Sequence, residues 1–318
     1  MSTSVTLLAG GVGGARLAHG FARALPDGGA PGAHGGLTCV VNVGDDTERH
    51  GLHVSPDLDT VMYTLAGLND EERGWGLTGE SYAMLDQLGR LGEDTWFTLG
   101  DKDLATHVVR TARLRAGEPL SAVTAALTRS LGVHARLLPV TDDAVRTRIT
   151  TPDGELEFQE YFVRRQHADA VLDLDFAGID AARPGPGVLD AITGGDLLVV
   201  APSNPFLSVE PVLGVPGVRE ALRAGGPRRV AVSPIVGGRA LKGPAAQVLE
   251  SLGHDVSALG VARLYTGLVD VMVIDAADEA LAAPIADLGF EVLVTDTVMG
   301  GPEGRERLAR ELLELAGS

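Results

Sequence analysis

Four aspartates lie close together between residues 42 and 63, where the chain reads NVGDDTERHGLHVSPDLDTVMY. Asp45 and Asp46 come directly after an apolar run, and Asp57 and Asp59 follow in the segment PDLDT. Carboxylates at the carboxyl end of a strand supply hard oxygen ligands for Mg²⁺, which can neutralise a diphosphate while a nucleophile attacks it. The same residues could instead form a solvated acidic loop with helix caps.

A glycine-rich segment near the amino terminus, LAGGVGGAR, follows a predicted strand and opens a predicted helix. The amides of Gly11, Gly13 and Gly14, together with the helix dipole, could receive an anion. Arg16 could reach a phosphate or a carboxylate from the first helical turn, although pairing with an acidic side chain is the alternative. A purely structural tight turn would also explain the glycines.

This segment does not match a nicotinamide-binding fingerprint. If Gly11 and Gly13 are its first two glycines, Arg16 stands where the third should be. The second strand ends in Asn42 rather than in the acid expected to bind a ribose. A GK[ST] sequence, which would indicate a P-loop, is also missing. A nicotinamide oxidoreductase is therefore not expected.

Residues 233–245, SPIVGGRALKGPA, provide a second candidate anion site between a predicted strand and a predicted helix. Gly237 and Gly238 precede Lys242, whose compact ammonium could meet a phosphate as a point charge. Only two of the 26 basic residues are lysines, and the other one, Lys102, also lies in a glycine-flanked loop, LGDKDLATH. Two anion-binding loops suit a nucleotide diphosphate.

Ser203 and Asn204 follow another predicted strand and precede Pro205 in the segment APSNPFLSV. A turn at this position would present their side-chain donors and acceptors to a crevice. An Asx turn with a structural role is the alternative.

The composition indicates an enzyme-sized protein of 318 residues, of which 45% are hydrophobic and 22% charged. Its formal net charge of −17 disfavours nucleic acid or an anionic membrane as a partner, because both require basic surface. The lone cysteine, Cys39, lies in the apolar run LTCVVN and is expected to be a buried thiol. Without a basic leader or a run of about 20 apolar residues, we expect a cytoplasmic protein.

Short β-branched runs alternate with helical patterns, beginning with VTLLAG, a helix over residues 15–25, and LTCVVN. Four later runs, LLVVAPSNP, RRVAVSPIVGG, VDVMVIDAAD and FEVLVTDTVM, end in loops rich in glycine, proline or acids. Strands end this way when their carboxyl ends face a ligand crevice. We therefore predict an α/β fold over residues 1–318, a single Rossmann-like, doubly wound domain with a mainly parallel sheet.

Two segments interrupt the alternation. Residues 59–134 contain several helical stretches and little strand signal, which predicts a helical insertion. Residues 136–164 alternate between apolar and polar residues around a Pro152-Asp153-Gly154 turn, which predicts a hairpin of two antiparallel strands.

Six segments in order resemble one known family: LAGGVGGARLAHGF, VVNVGDDTERHGLHVSPDLDTVMYTLAG, WGLTGES, LGDKDLATH, APSNPFLSVEPVLGVPG and VSPIVGGRALKGPA. They are similar to the CofD/FbiA family, the 2-phospho-L-lactate or phosphoenolpyruvate transferases of coenzyme F-420 biosynthesis. The resemblance extends over nearly the whole chain, and six segments at the family's spacing make it specific.

This resemblance implies a Rossmann-like, Mg²⁺-dependent enzyme. It would transfer a phosphoenolpyruvyl or 2-phospholactyl group from a guanosine diphosphate carrier to the deazaflavin Fo and release GMP. The primary hydroxyl of Fo's ribityl chain would attack the phosphorus that bears the three-carbon acid. No motif distinguishes the enolpyruvyl donor from the lactyl donor, and a homodimer is the default oligomer.

By resemblance, Asp45, Asp46, Asp57 and Asp59 would form the metal and Fo side of the site, with Asp59 and then Asp57 as the expected catalytic carboxylates. The residues expected to bind substrate are Gly11, Gly13, Gly14, Arg16, Asn42, Lys102, Ser203, Asn204, Gly237, Gly238 and Lys242. The family often has GDRD where this chain reads GDKD, so that a point charge replaces a bidentate arginine contact at Lys102.

A different class of function shares the opening glycine loop and the fold. This is a non-enzymatic, nucleotide-sugar-binding regulator of the gluconeogenesis-factor type. A protein that only binds has no need for the acids of PDLDT and GDKD, so these acids favour the transferase.

Overall fold

A seven-stranded parallel sheet forms the centre of the computed structural model, which describes residues 3–30 and 35–317. Its strands are short runs of Val, Leu and Ile, whose branched side chains suit a sheet that is covered on both faces. Within the described residues the strands are, in chain order, Ser4–Ala9 (β1), Gly36–Val41 (β2), Thr47–Arg49 (β3), Leu52–Val54 (β4), Arg136–Pro139 (β5), Arg146–Thr151 (β6), Gly154–Glu157 (β7), Asp173–Ala177 (β8), Leu197–Val200 (β9), Arg228–Val232 (β10), Ile235–Val236 (β11), Arg239–Ala240 (β12), Val271–Asp275 (β13) and Glu291–Thr295 (β14).

The order of strands across the central sheet is β14-β13-β10-β9-β1-β2-β5. β1 pairs in parallel with β2 on one side and with β9 on the other. The chain therefore builds outward from β1 to β5 and then returns to build the other half from β9. In such a doubly wound sheet, a crevice opens at the carboxyl ends of the strands where the order reverses. The predicted Rossmann-like α/β fold is confirmed.

Helices cover the sheet. Within the described residues the α-helices are Gly11–Ala24 (α1), Pro56–Leu65 (α2), Ala83–Arg90 (α3), Asp101–Arg115 (α4), Leu120–Ser130 (α5), Val188–Thr193 (α6), Glu210–Leu213 (α7), Val218–Ala224 (α8), Ala245–Ser251 (α9), Ala258–Leu264 (α10), Ala282–Ala286 (α11) and Gly301–Glu314 (α12). Short 3₁₀ or π turns occupy Pro26–Gly29, Glu160–Arg164, Ile179–Ala181, Pro205–Val209, Ala276–Leu281 and Leu315–Gly317. No helix in this part of the chain combines the length and the apolar character needed to cross a bilayer.

Gly20 lets α1 and α12 pack closely. A Cβ added at Gly20 would lie 2.2 Å from the carbonyl oxygen of Arg305 in α12. α1 also packs against α2, so it is the element that joins the acidic segment to the end of the chain. Cys39 lies in β2 within the core, where burial raises the pKa of its thiol to about 12. The expectation of a buried thiol is confirmed.

The glycine-rich segment belongs to a helix rather than to a preceding loop. α1 begins at Gly11, four residues before the predicted start at Ala15. Gly11, Gly13 and Gly14 therefore form the first turn of α1, with Gly10 as its N-cap.

Residues 136–164 differ from the predicted hairpin. Residues 136–139 form β5, which pairs in parallel with β2 at the edge of the central sheet. Its adjacent residues Leu137 and Leu138 are both buried, whereas an alternating strand would expose one of them. The antiparallel pair is β6 with β7, and β8 adds a third strand. Residues 160–164 form a π turn instead of continuing β7.

Replacing Gly20 with alanine should destabilise the protein. The added methyl would meet the Arg305 carbonyl, and overpacking of this kind costs about 1–3 kcal/mol, only partly offset by alanine's better helix propensity. Thermal unfolding of Gly20→Ala should show a lower Tm. Gly89→Ala in α3 is the matched control, because its added Cβ would have only an ordinary contact, 3.7 Å from Thr95 Cγ2. An unchanged Tm in Gly20→Ala would show that the helix contact is loose.

Candidate active site

A cavity of about 610 Å³ opens at the carboxyl ends of the central strands. Segments that follow β1, β2, β9, β10 and β14 contribute to its wall, so it lies at the position where the strand order reverses. This cavity therefore matches the sequence prediction of a crevice at these strand ends.

The first turn of α1 lies at the cavity and is already bound to an acid. The amide of Gly11 donates a hydrogen bond to Asp57 Oδ1 at 2.7 Å. The next amides of the turn, on Val12 and Gly13, lack an intrahelical acceptor because of helix geometry, and both residues line the cavity. These two amides remain available to an anionic ligand.

Close packing requires glycine in this turn. A Cβ at Gly13 would lie 2.3 Å from the Pro202 carbonyl oxygen, and a Cβ at Gly10 would lie 2.6 Å from Ser208 Cβ. Gly14 packs on Ala9 and is not part of the cavity wall. The glycines therefore bring α1 against the segment after β9.

Three cationic side chains line the cavity near this turn. Arg16 is half-buried, and its burial and the neighbouring Arg305 lower the pKa of its guanidinium. Lys242 lies in the loop before α9, and Arg73 lies in the loop after α2. In a chain with a net charge of −17, these groups give the cavity a local site for anions.

Asn204 offers a further hydrogen-bond donor. Its Oδ1 accepts hydrogen bonds from the amides of Phe206 and Leu207, at 3.0 and 3.2 Å, which fixes the orientation of the side chain. Its Nδ2 is buried and has no partner among the described residues. The neighbouring Ser203 donates from Oγ to the Gly10 carbonyl at 2.7 Å, so it joins the two segments. Ser203 and Asn204 both line the cavity.

Asp45 and Asp57 form an acidic wall on the other side of the turn. Burial, followed by repulsion from Asp57, raises the pKa of Asp45 well above its ordinary value. Burial also raises the pKa of Asp57 to about 6, although hydrogen bonds from Asn42 and Gly11 oppose this shift. The Oδ1 atom of Asp45 is buried without a partner among the described residues. Buried, mutually repelling carboxylates with a free oxygen are suited to a cation.

Asp46 turns away from the cavity. Its Oδ2 accepts from Ser55 Oγ and contacts His53 Nε2, each at 2.9 Å, which joins the loop after β2 to β4 and the start of α2. No three of the four predicted aspartates offer ligand atoms within 4.8 Å of one another. The four aspartates therefore do not form one compact set of metal ligands. Mg²⁺ can nevertheless bind through only one or two carboxylates, with water and phosphate oxygens as its other ligands.

Asp59 belongs to a separate buried network. Arg110 of α4 donates to both of its carboxylate oxygens, once at 3.0 Å and once more closely. Burial raises the pKa of Asp59, and the charge of Arg110 opposes this rise. Arg110 also contacts His107 Nδ1 at 3.2 Å, and Asp103 accepts a hydrogen bond from Tyr63 at 2.6 Å.

This network resembles a metal site in composition only. Asp59, Asp103 and His107 offer ligand atoms within 4.8 Å of one another. The Arg110 guanidinium, however, already supplies a positive charge to Asp59 and reaches His107. The cluster therefore contains its own cation, and Asp45 with Asp57 fits Mg²⁺ better.

Several predicted substrate ligands do not line the cavity. Asn42 is fully buried and holds Asp57 Oδ2 at 2.9 Å, so it positions an acid instead. Lys102 Nζ donates to the Thr78 carbonyl at 2.8 Å. Gly237 and Gly238 form the turn between β11 and β12, and the amide of Gly237 donates to Asp278. Proximity in sequence to a glycine loop did not bring these side chains to the cavity.

The GDKD segment takes part in the caps of two helices, α3 and α4. Glu80 accepts hydrogen bonds from the amides of Lys102 and Asp103, each at 2.8 Å, at the start of α4. Asp101 accepts from the amides of Ala83 and Met84 at the start of α3. These caps fix α4, which carries the network around Asp59.

Aromatic side chains also line the cavity. Phe97, Phe158 and Phe162 are among them, and the rings of Phe158 and Phe162 stack with centroids 5.5 Å apart. Tyr63 adds a fourth ring, whereas Trp75, the fifth aromatic residue of the cavity wall, follows Gly74 in the loop beside Lys242. This concentration suits a flat, conjugated ligand.

Sequence reasoning missed the phenylalanines of the cavity wall and the network on α4. Asp103, His107 and Arg110 follow one another at spacings of four and three, which places them on one helix face and was a usable signal. The phenylalanines come from three separate segments and gave no local pattern.

Comparisons with known proteins identify the family. A sequence model described as 2-phospho-L-lactate transferase CofD matches residues 5–300. A phosphoenolpyruvate transferase of Streptomyces griseus is 42% identical over 318 residues and covers 98% of each chain. The protein of that name from Mycolicibacterium smegmatis is 41% identical over 328 residues, again over 98% of each chain.

The fold is also similar to a solved structure. Protein BH3568 from Bacillus halodurans superposes with a TM-score of 0.63, covering 98% of this chain and all of that one, at 16% sequence identity. Such low identity supports the fold alone. The resemblance carried by the six sequence segments is confirmed by the family match and by the relatives at about 40% identity. The chain belongs to the CofD family of 2-phospho-L-lactate transferases.

Proposed function

We propose that the protein transfers a phosphoenolpyruvyl or 2-phospholactyl group from a guanosine-diphosphate-linked donor to a hydroxyl of Fo, in coenzyme F-420 biosynthesis. The observation that carries this proposal is the set of groups that line one cavity. Its wall contains amides and cations around the first turn of α1, here called the basic end, together with buried carboxylates and aromatic rings. The relatives from Streptomyces griseus and Mycolicibacterium smegmatis are phosphoenolpyruvate transferases by name, which supports the same reaction.

The basic end is the proposed donor end. The free amides of Val12 and Gly13, the cations Arg16 and Lys242, and the free Nδ2 of Asn204 can hold a diphosphate through charge-assisted hydrogen bonds. The phosphate would then lie beside Asp45 and Asp57, whose negative charges a divalent cation must offset.

Mg²⁺ is the proposed cofactor, held by Asp45 and Asp57. The fit rests on the unpartnered Oδ1 of Asp45 and on the burial of two like charges. When bound, Mg²⁺ would neutralise diphosphate oxygens and stabilise the charge of the leaving GMP.

The phenylalanine rings of the cavity wall are the proposed Fo site, because they can stack on the deazaflavin. The ribityl hydroxyl would then point toward Asp59. The oxygen of this hydroxyl would form a bond to the phosphorus that bears the three-carbon acid, and the bond from phosphorus to the GMP oxygen would break. The hydroxyl proton would pass to Asp59, whose carboxylate is paired with Arg110.

Binding of a guanine nucleotide should depend on one lysine and not on the other. Lys242→Ala should weaken the binding of GDP about tenfold in calorimetry, because a cation at the diphosphate is lost. Lys102→Ala is the matched control and should change the affinity less than twofold, because Lys102 Nζ is bound to Thr78. The absence of any GDP binding to the unaltered protein would contradict the donor assignment.

Mg²⁺ should stabilise the protein through Asp45 and Asp57. We expect added Mg²⁺ to raise the Tm, because it offsets the repulsion between the two buried carboxylates. Asp45→Asn should raise the Tm in the absence of metal and remove the response to Mg²⁺. A full Mg²⁺ response in Asp45→Asn would place the ion elsewhere.

The same pair gives the metal-free protein a pH dependence. The pKa of Asp57, about 6 in the folded state, lies above its ordinary value of 3.8, so the folded state binds more protons between these values. Stability should therefore fall as the pH rises from about 4 to about 6, and Asp57→Asn should show a smaller fall.

Asp59→Asn should abolish turnover. Loss of the proposed proton acceptor should lower kcat at least about 100-fold. Mass spectrometry of the product measures the turnover rate. Testing the enolpyruvyl donor and the lactyl donor separately also identifies the natural donor. Asp86→Asn, at an exposed site on α3, is the control.

The fold of the Asp59→Asn variant should be checked by circular dichroism, because Arg110 loses its partner. Turnover by a folded Asp59→Asn variant at the normal rate would exclude Asp59 as the base. If the unaltered protein binds GDP but consumes neither donor with Fo and Mg²⁺, the binding-only regulator is supported instead.

A further inference from the structure

The loop formed by residues 68–78, here called the mouth loop, closes on itself beside the cavity. The amide of Thr78 donates to the Leu68 carbonyl at 2.9 Å, and the amide of Asp70 donates to the Gly76 carbonyl at 3.1 Å. The residues of the loop that line the cavity are Arg73, Gly74, Trp75 and Gly76. The mouth loop is therefore a compact unit whose placement decides the shape of the entrance.

One ion pair ties the mouth loop to the carboxyl-terminal helix. Arg305 of α12 donates from Nη1 to Glu71 Oε1 at 2.8 Å and from Nη2 to Glu71 Oε2. The Glu71 side chain is 56% exposed, whereas that of Arg305 is only 3% exposed. Exposed ion pairs contribute about 0–1 kcal/mol, but a buried, bidentate guanidinium has a fixed direction and loses more when its partner is removed. The pair therefore holds the exposed loop to a rigid helix.

The charges of Glu71 and Arg305 also act on Arg16. Besides burial, the charge of Arg305 lowers the pKa of Arg16 and the charge of Glu71 raises it. Glu71 thus serves as a counter-charge for both arginines. Without it, Arg305 and Arg16 would repel each other across the wall of the cavity.

The mouth loop also contacts the loop that contains Lys242. At Gly74, whose φ is +84°, an added Cβ would lie 3.1 Å from Lys242 Nζ. The backbone of the loop therefore lies directly beside the ammonium proposed to bind the diphosphate. A displaced mouth loop would change the surroundings of Arg16 and Lys242 together.

We infer that Glu71 and Arg305 are positioning residues for the donor. Their ion pair holds the mouth loop against α12, which keeps Arg16, Arg73 and Lys242 arranged around the diphosphate. This inference rests on the proposed function. It assigns a role in binding the donor, and none in binding Fo or in the chemical step.

The kinetic test compares Glu71→Gln with Glu72→Gln. Glu71→Gln should raise the KM for the donor about tenfold, leave the KM for Fo unchanged, and change kcat at saturating donor less than twofold. Glu72 is the matched control, because it is the exposed neighbour and its side chain has no partner among the described residues. Glu71→Asp keeps the charge and should restore part of the donor affinity.

A second test reads the position of the loop without turnover. Trp75 and Trp96 are the only tryptophans, so Trp96→Phe leaves Trp75 as the sole indole reporter, within the mouth loop. In that background, Glu71→Gln should increase acrylamide quenching of Trp75 fluorescence, and Glu72→Gln should not.

The two tests separate the inference from the proposed function. Equal donor KM values for Glu71→Gln and the unaltered protein would overturn the inference, as would quenching that Glu71→Gln leaves unchanged. A fall in kcat without a change in the donor KM would also overturn it. If the unaltered protein turns over neither donor, the proposed function fails, and the quenching experiment still decides whether the ion pair holds the loop.

Discussion

The burial of Asp45 and Asp57 against each other is the constraint around which the site is built. Two like charges out of water repel each other and lose hydration, which in proteins costs several kcal/mol per ion unless partners compensate. The structure compensates Asp57 with the Gly11 amide at the amino end of α1 and with Asn42. Asp45 Oδ1 remains without a protein partner. The uncompensated charge is therefore concentrated where a ligand can reach it.

This arrangement depends on how closely α1 approaches its neighbours. Gly13 meets the Pro202 carbonyl and Gly20 meets the Arg305 carbonyl, at distances that no side chain would allow. The first turn of α1 is thereby held between α2 and the segment after β9, so that one helix end faces Asp57 and the cavity together. Arg305 also binds Glu71 of the mouth loop, so the packing of α1 on α12 also affects the position of that loop.

The fold could be predicted from the sequence further than the site could. Continuous apolar runs and helical stripes are local signals, and each run predicted to be a parallel strand forms one. β5 was assigned to the wrong partner because pairing at a sheet edge is a long-range choice that Leu137 and Leu138 do not encode by themselves. The charged partner of Asp59 is Arg110, which lies 51 residues away in the sequence, and no local pattern connects the two. Lys102 is the opposite case, since its sequence context suggested a ligand while its ammonium is bound to the Thr78 carbonyl.

The different surroundings of the acids suggest different tasks in the proposed reaction. Asp59 is paired with a fixed guanidinium, so in the proposed reaction it can face a neutral hydroxyl and accept its proton without a metal ion as partner. Asp45 and Asp57 lack such a partner, and in the proposed reaction a cation from solution or from the donor would supply it. If the donor diphosphate brings Mg²⁺ to this pair, the acidic wall becomes electrostatically complete only when the donor is bound. Productive transfer would then be coupled to occupancy of the basic end, while the proposed Fo site, lined by phenylalanine rings, could fill independently of it.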